Sequence, residues 1–359
     1  MKYVGIGLLS GRSYFLTAAD LAAAPVMDVA RKLVGGPVLG LSRVGGGRNS
    51  RVYRVDAGNR LFALKQYPPL LGEPRDRRGI EACALNWMGE CGLDAVPRLV
   101  ATDRESNCSL LTWADGSLVH DVGASDVDQA ADFLGKLHRL RRTAGFPTAH
   151  LAAEACLSGV EIERQIRARV ARLNALEDEP ALQLFLTPEF STAFDDLLSA
   201  ARVALSSTAL SFEAELLQEQ RSLVPADFGF HNALRDEKGR LTFVDFEYFG
   251  WDDPVKLTAD VILHPGTQLT PELRLRFRNA ADRLYGDDPN FATRLYAFHP
   301  LFGLRWVLIL LNEFHPERWH RRMLAGANDD WAEAKNRQLS AARAMLSNLR
   351  NESRSEWPR

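Results

Sequence analysis

The chain has 359 residues, of which 46% are apolar and 25% charged, with a formal net charge of −2. That length holds two domains of ordinary size and a core that needs no disulfide staples. The near-neutral balance gives no global field for nucleic acid or an anionic membrane surface, so neither is an expected partner.

In chain order, the first segment, "MKYVGIGLLSGRSYFLTAADLAAAP", has the outline of a signal peptide. Arg12 interrupts its short apolar run, and the chain therefore reads as not exported. A short helix follows near Val26–Val34. "VLGLSRV", "RVYRVDA" and "LFALKQY" read as strands, the first two separated by "GGGRNS" and the last two by the turn "GNR". "RDRRGIEACALNWMGECG" reads as a helix with Ile80, Ala84, Trp87 and Met88 on its apolar face, closed by Gly92. "PRLVATD" and "CSLLTWA" add two strands around the turn "RESN". After Asp115-Gly116 the pattern turns helical. "VDQAADFLGKLHRLRR" is amphipathic, the segment Leu151–Glu219 reads as helices, and helices resume after about Pro271.

This division predicts an extension over residues 1–36, a β-rich lobe over 37–116 and a mainly helical lobe over 117–359. The four cysteines, Cys83, Cys91, Cys108 and Cys156, show no CxxC spacing and read as buried, reduced thiols of a cytoplasmic protein. "WVLILL" (Trp306–Leu311) is the most apolar internal run, far short of the ~20 residues a membrane span needs.

Four features carry chemistry. Gly45, Gly46 and Gly47 lie between two strands, where backbone N–H groups can approach phosphate oxygens; taken alone, they also suit a plain hairpin turn. Lys65 alternates out of its strand on the face opposite Phe62 and Leu64. It is either an exposed strand lysine or a phosphate contact, with Glu81 on the next helix as its ion-pair partner or as a solvated helix residue.

The third feature is "VPADFGFHNAL", which is followed by "FVDFEYFGWDDP". If "NALR" and "LTFVDF" form a hairpin centred between Lys238 and Gly239, Asn232 lies opposite Asp245. Their oxygens then converge as a hard cation such as Mg²⁺ requires, and Asp227 is placed to meet an attacking hydroxyl. The alternative is a pair of Asx turns capping a hairpin. Fourth, Phe302, Trp306, Ile309 and Glu313 share one helical face, as a core stripe or as an aromatic and acidic wall for a cationic acceptor.

On these residues the sequence resembles the aminoglycoside phosphotransferase and choline kinase-like family, small-molecule relatives of the protein kinases. "PADFGFHN" is similar to the family's H-x-D-x-x-x-x-N stretch, with Asp227 and Asn232 in register, and "DFEY" (Asp245–Tyr248) is similar to the choline kinase branch. "GGGRNSRVYRV", Lys65, Glu81, "LLTWADG" and "LGKLHRL" follow in the family's order, over roughly Leu39–Pro265. Pro225 replaces the family's histidine, Leu257 stands where an acid is common with Asp260 as the candidate substitute, and His231 stands where a small residue is commoner.

The resemblance implies an α+β, two-lobed protein-kinase-like fold and transfer of the ATP γ-phosphoryl group to a small-molecule hydroxyl. Asp227 would accept or orient the hydroxyl proton, Asn232 and Asp245 would hold Mg²⁺, and Lys65 with Glu81 would form the phosphate grip. The adenine would lie against backbone near Thr112–Ala114. The competing class is a non-catalytic nucleotide-binding scaffold with the same fold.

Overall fold

The computed structural model of the chain describes residues 18–44, 50–67, 75–142, 145–267, 269–324 and 330–352. They divide into two units. The first comprises residues up to Ala82 together with Pro97–Ala114, and the second Cys83–Val96 with Asp115 onward.

In the first unit, helix α1 (Ala18–Val34) precedes strands β1 (Gly40–Val44), β2 (Arg51–Asp56) and β3 (Leu61–Gln66). Helix α2 (Arg77–Glu90) follows, its residues from Cys83 on being counted in the second unit, then β4 (Leu99–Asp103) and β5 (Cys108–Thr112). The strands form one antiparallel sheet in the order β1-β2-β3-β5-β4. Period-2 alternation sends Val55, Phe62, Leu64, Cys108 and Leu110 into one apolar cluster with Val26 and Ala30 of α1. The helix expected from Val26 begins earlier, at Ala18, and runs through Pro25. In α2, Ile80, Ala84, Trp87 and Met88 are buried as their spacing predicts, and Gly92 just beyond has φ +74°.

The second unit is mainly helical. After β6 (Ser117–Leu118) come α3 (Ala124–Leu140), α4 (Gly159–Asn174), α5 (Pro180–Leu184) and α6 (Ser191–Ser206), with a π-helical turn at Phe185–Phe190. Short strands β7 (Ser222–Val224), β8 (Ala233–Arg235), β9 (Leu241–Phe243) and β10 (Gly250–Asp252) form the pair β7-β10 and the three-stranded sheet β6-β8-β9. Helices α7 (Pro254–Leu263), α8 (Pro271–Leu284), α9 (Phe291–Leu310), α10 (Pro316–Leu324) and α11 (Trp331–Glu352) complete it.

Helix α9 is the axis of this unit and packs against α4, α6, α7 and α11. It is longer than "WVLILL" implied. Phe291–Phe314 is long and apolar enough to cross a membrane, yet 67% of its most apolar window is buried inside the protein, as in a core helix. Its cationic residues are paired: Arg294 with Asp253 and Asp288, Arg305 with Asp260. The α-helix ends at Leu310 and Glu313 lies in a 3₁₀ turn, Leu311–Phe314, while Phe302 is a core residue. The expected single stripe from Phe302 to Glu313 is therefore broken, because three residues per turn replace 3.6. The cysteine expectation also needs correction: Cys108 and Cys156 are buried, Cys91 is partly exposed and Cys83 is exposed.

Candidate active site

In the first unit the lysine is not an exposed strand residue. Lys65 and Glu81 are 5% and 1% exposed, and Lys65 Nζ donates to Glu81 Oε2 at 2.6 Å. The Tyr67 hydroxyl donates to the same oxygen at 2.6 Å, and Lys65 Nζ lies 5.0 Å from the centre of its ring. Burial foremost, then the Glu81 charge, raises the Tyr67 pKa well above the ordinary phenol value, so it stays a donor. Alternation places Lys65 opposite Ser109, on the face away from the α1 cluster. A buried ammonium held at a fixed position by a carboxylate suits contact with phosphate oxygens.

Thr112 closes β5. Its N–H donates to the Arg98 carbonyl and its hydroxyl accepts from the Arg98 N–H, so a base contact near Ala114 would fall to other backbone groups. Gly45, Gly46 and Gly47 lie outside the described residues.

In the second unit the loop after β7 is shaped by two aromatic anchors. Phe228 and Phe230 are buried, and Phe228 packs with Phe243 and with Phe133 of α3, at centroid distances of 4.9 and 5.8 Å. The polar residues on either side of them, Asp227 and His231, remain partly accessible. The Asp227 N–H donates to the Pro225 carbonyl at 3.0 Å across Ala226, which has φ +67°. This is the strained, positive-φ form of the γ-turn, a local distortion of the kind that collects at functional sites.

Asn232 closes the loop, its side-chain Nδ2 donating to the Asp227 carbonyl at 2.9 Å. With the amide nitrogen so engaged, its carbonyl oxygen is the group left for a cation.

The β8–β9 hairpin corrects one expectation. Its register pairs Ala233 with Phe243, and the Val244 N–H donates to the Asn232 carbonyl, so Asn232 faces Val244 rather than Asp245. The cause is the turn. Asp236 and Arg240 close a three-residue loop centred on Lys238, whose last residue, Gly239, has φ +78°, where a turn centred between Lys238 and Gly239 was expected. Asp245 follows the paired stretch with φ +71°. One amide oxygen and one carboxylate remain a hard donor set that fits Mg²⁺, an ion that takes few protein ligands and fills the rest with phosphate and water.

Two histidines adjoin Asp227. His231 Nε2 lies 3.2 Å from Asp227 Oδ1, and the His231 ring stacks on His264 at 4.0 Å with 5° between planes. Burial works to raise the Asp227 pKa, but the hydrogen bond and charge of His231, with His264 and Asn232 behind them, outweigh it and hold it below the ordinary value. The carboxylate is thus ionised and can only accept, so His231 Nε2–H is the donor.

The three side chains offer ligand atoms within 4.8 Å of one another. They are nonetheless poorly built for one ion. Imidazole lone pairs lie in the ring plane, and two parallel stacked planes cannot both contain the same metal. His264 Nδ1 also accepts from the Gly266 N–H, which puts the ring proton of a neutral His264 on Nε2.

Behind His264 stands Trp306, edge-on at 4.6 Å, whose Nε1 donates to Asp260 at 2.7 Å. Asp260, the candidate substitute acid, takes Arg305 Nη2 on both oxygens and ties α7 to α9. Sequence reading did not connect His264 to the site. The signal was a glycine two residues from each histidine, Gly229 before His231 and Gly266 after His264.

A β-rich lobe with a buried lysine–glutamate pair and a helical lobe carrying an Asp–Asn loop define a kinase-like phosphotransferase. The chain belongs to the phosphotransferase enzyme family (APH), whose family model matches residues 40–298. No curated relative matches it in sequence. Among solved structures it is similar to a choline kinase of Cryptosporidium parvum, at 12% identity and TM-score 0.59 over 92% of this chain and 96% of that one. The choline kinase LicA of Streptococcus pneumoniae aligns at 14% identity and TM-score 0.58, covering 91% and 99%. The ADP-bound aminoglycoside phosphotransferase APH(2'')-Ib aligns at 13% and 0.55, covering 91% and 98%. At these identities the likeness establishes the fold, which is the kinase-like α+β fold expected from the sequence.

Proposed function

We propose that the protein is an ATP-dependent kinase that phosphorylates a hydroxyl of a small molecule, in the class of amino sugars, sugars and amino alcohols. The observation that carries this reading is the Asp227 loop: an ionised carboxylate on a strained turn, tied to the Asn232 amide, in a member of a phosphotransferase family. The acceptor hydroxyl oxygen attacks the γ-phosphorus, the bond from that phosphorus to the β–γ bridging oxygen breaks, and ADP leaves with the electron pair. Asp227 aligns the hydroxyl and takes its proton.

Lys65, held by Glu81, contacts the α- and β-phosphates, and the backbone of Gly45, Gly46 and Gly47 covers the phosphate chain. Asn232 and Asp245 would hold Mg²⁺, which when bound neutralises phosphate charge. The adenine rests against backbone near Thr112 and Ala114. The ADP bound to one structural neighbour supports a nucleotide as the donor. A cytoplasmic location, where ATP is abundant, fits this reading.

The test is ADP release from Mg–ATP in the presence of panels of amino alcohols, sugars and amino sugars, with the phosphorylated product read by ³¹P NMR. Stimulation by one class with a matching phosphoester supports the proposal. Thermal stabilisation by Mg–ATP with no turnover of any acceptor would favour the scaffold reading, to which Pro225 in place of the family's histidine lends weight.

A further inference from the structure

We infer that His231 is a positioning residue that fixes the Asp227 carboxylate for the reaction, with His264 as the surface that holds it in place. The inference rests on the phosphotransferase reading. His231 Nε2–H donates to Asp227 Oδ1 at 3.2 Å. With Oδ1 so engaged, Oδ2 is the oxygen that meets the acceptor hydroxyl. His231 Nδ1 is buried and makes no hydrogen bond among the described residues. The bond to Asp227 is therefore the ring's one directional polar tie, and the ring's orientation must come from packing.

That packing is built. A Cβ added at Gly229 would lie 2.8 Å from both Cε1 and Nδ1 of His231 and 3.0 Å from Thr267 Cγ2. Gly229 has an extended backbone, φ 170°, so its glycine identity answers to close approach rather than to a turn. A Cβ at Gly266 would likewise lie 2.9 Å from His264 Cε1, and the Gly266 N–H donates to His264 Nδ1 at 3.0 Å. The Thr267 hydroxyl donates to the His264 carbonyl at 2.8 Å, fixing the backbone that carries the second ring. Each imidazole thus lies against a residue with no side chain, and the rings stack at 4.0 Å. Trp306, anchored on Asp260, buttresses the far ring. A rigid backing of this kind lets a single N–H donor hold a carboxylate at one angle.

The full chain is assayed for ADP release from Mg–ATP with water as acceptor. His231→Phe keeps a stackable ring and loses the donor. It is expected to lower kcat about 10- to 100-fold, the worth of one hydrogen bond to a charged group, with KM for Mg–ATP unchanged. His231→Gln keeps an N–H donor and is expected to recover most of the loss. Adding His231→Phe to Asp227→Asn is expected to cost nothing more, since the histidine acts through that carboxylate.

Equal losses in the Phe and Gln variants, a shift confined to KM, or multiplying effects in the double variant would overturn the assignment. If the wild type releases no ADP with water or with any of the acceptor panels, the phosphotransferase reading fails, and imidazole ¹⁵N NMR still decides the positioning claim. The claim requires His231 as the Nε2–H tautomer, with a resonance that moves in Asp227→Asn. An Nδ1–H tautomer, or a resonance indifferent to Asp227, overturns it.

Discussion

Replacing Lys65 by methionine removes the cation that faces a carboxylate only 1% exposed, across a contact of 2.6 Å. Breaking a buried ion pair from one side costs about 3–5 kcal/mol, because the remaining charge keeps its desolvation penalty. Tyr67 still donates to Glu81 Oε2, which places the expectation near the lower end of that range. Substituting Glu81→Gln as well removes the stranded charge while leaving an amide oxygen to accept from Tyr67. The double variant should therefore recover most of the stability and none of the phosphate contact. Urea denaturation of the wild type, Lys65→Met and Lys65→Met/Glu81→Gln measures the first effect, and calorimetric titration with Mg–ATP measures the second. A loss below about 1 kcal/mol in the single variant, or no recovery in the double, would refute the buried-pair argument. Undiminished nucleotide affinity in the recovered double variant would refute the role assigned to Lys65.

Burial, with Arg278 and Arg274 behind it, pushes the His299 pKa down to about 3. An unfolded histidine titrates near 6.5, so the unfolded chain binds the proton first and stability falls as pH drops from about 6.5 toward 3, by up to ~1.4 kcal/mol per pH unit. His299→Gln should flatten that limb of a Tm-against-pH curve; an unchanged slope counts against it. In Gly250→Ala the new methyl would lie 2.4–2.7 Å from backbone atoms of His150, Leu151 and Ala152. A loss of about 1–3 kcal/mol is expected by differential scanning calorimetry, and an unshifted Tm would show that this segment yields. Asp245→Asn should raise the Mg²⁺ concentration needed for half-maximal ADP release; an unaltered requirement would remove Asp245 from the metal site.

Much of the first unit was legible because alternation is a local rule. Phe62 and Leu64 against Lys65 could be read without knowing any partner strand, and the opposite face is where Lys65 lies. Its burial could not be read, since that depends on Glu81 arriving from the following helix, with Tyr67 two residues along the chain joining the same carboxylate. The hairpin was legible in kind and wrong in register, because Gly239 serves a three-residue loop as readily as a two-residue one. Strands β7 and β10 have three residues each, too few for any period to show. The start of α7 was readable and passed over: Asp253 accepts from the Val255 N–H with Pro254 in the first turn, an ordinary N-cap. The glycines beside His231 and His264 hinted at close packing, but the pairing of the two rings lay beyond sequence reach, because it is a stack between residues 33 positions apart in the chain, as the numbers 231 and 264 give.

The most direct measurement is the rate of phosphoryl transfer by Asp227→Asn, with Mg–ATP affinity determined on the same preparation. Asparagine keeps the shape of the side chain and an oxygen for His231, while the charge and basicity are lost. The account predicts that turnover of a confirmed acceptor falls about 10²- to 10⁴-fold, roughly 3–5 kcal/mol of barrier, with nucleotide affinity retained. Turnover at close to the wild-type rate would contradict the assignment of Asp227 as the residue that receives the hydroxyl proton.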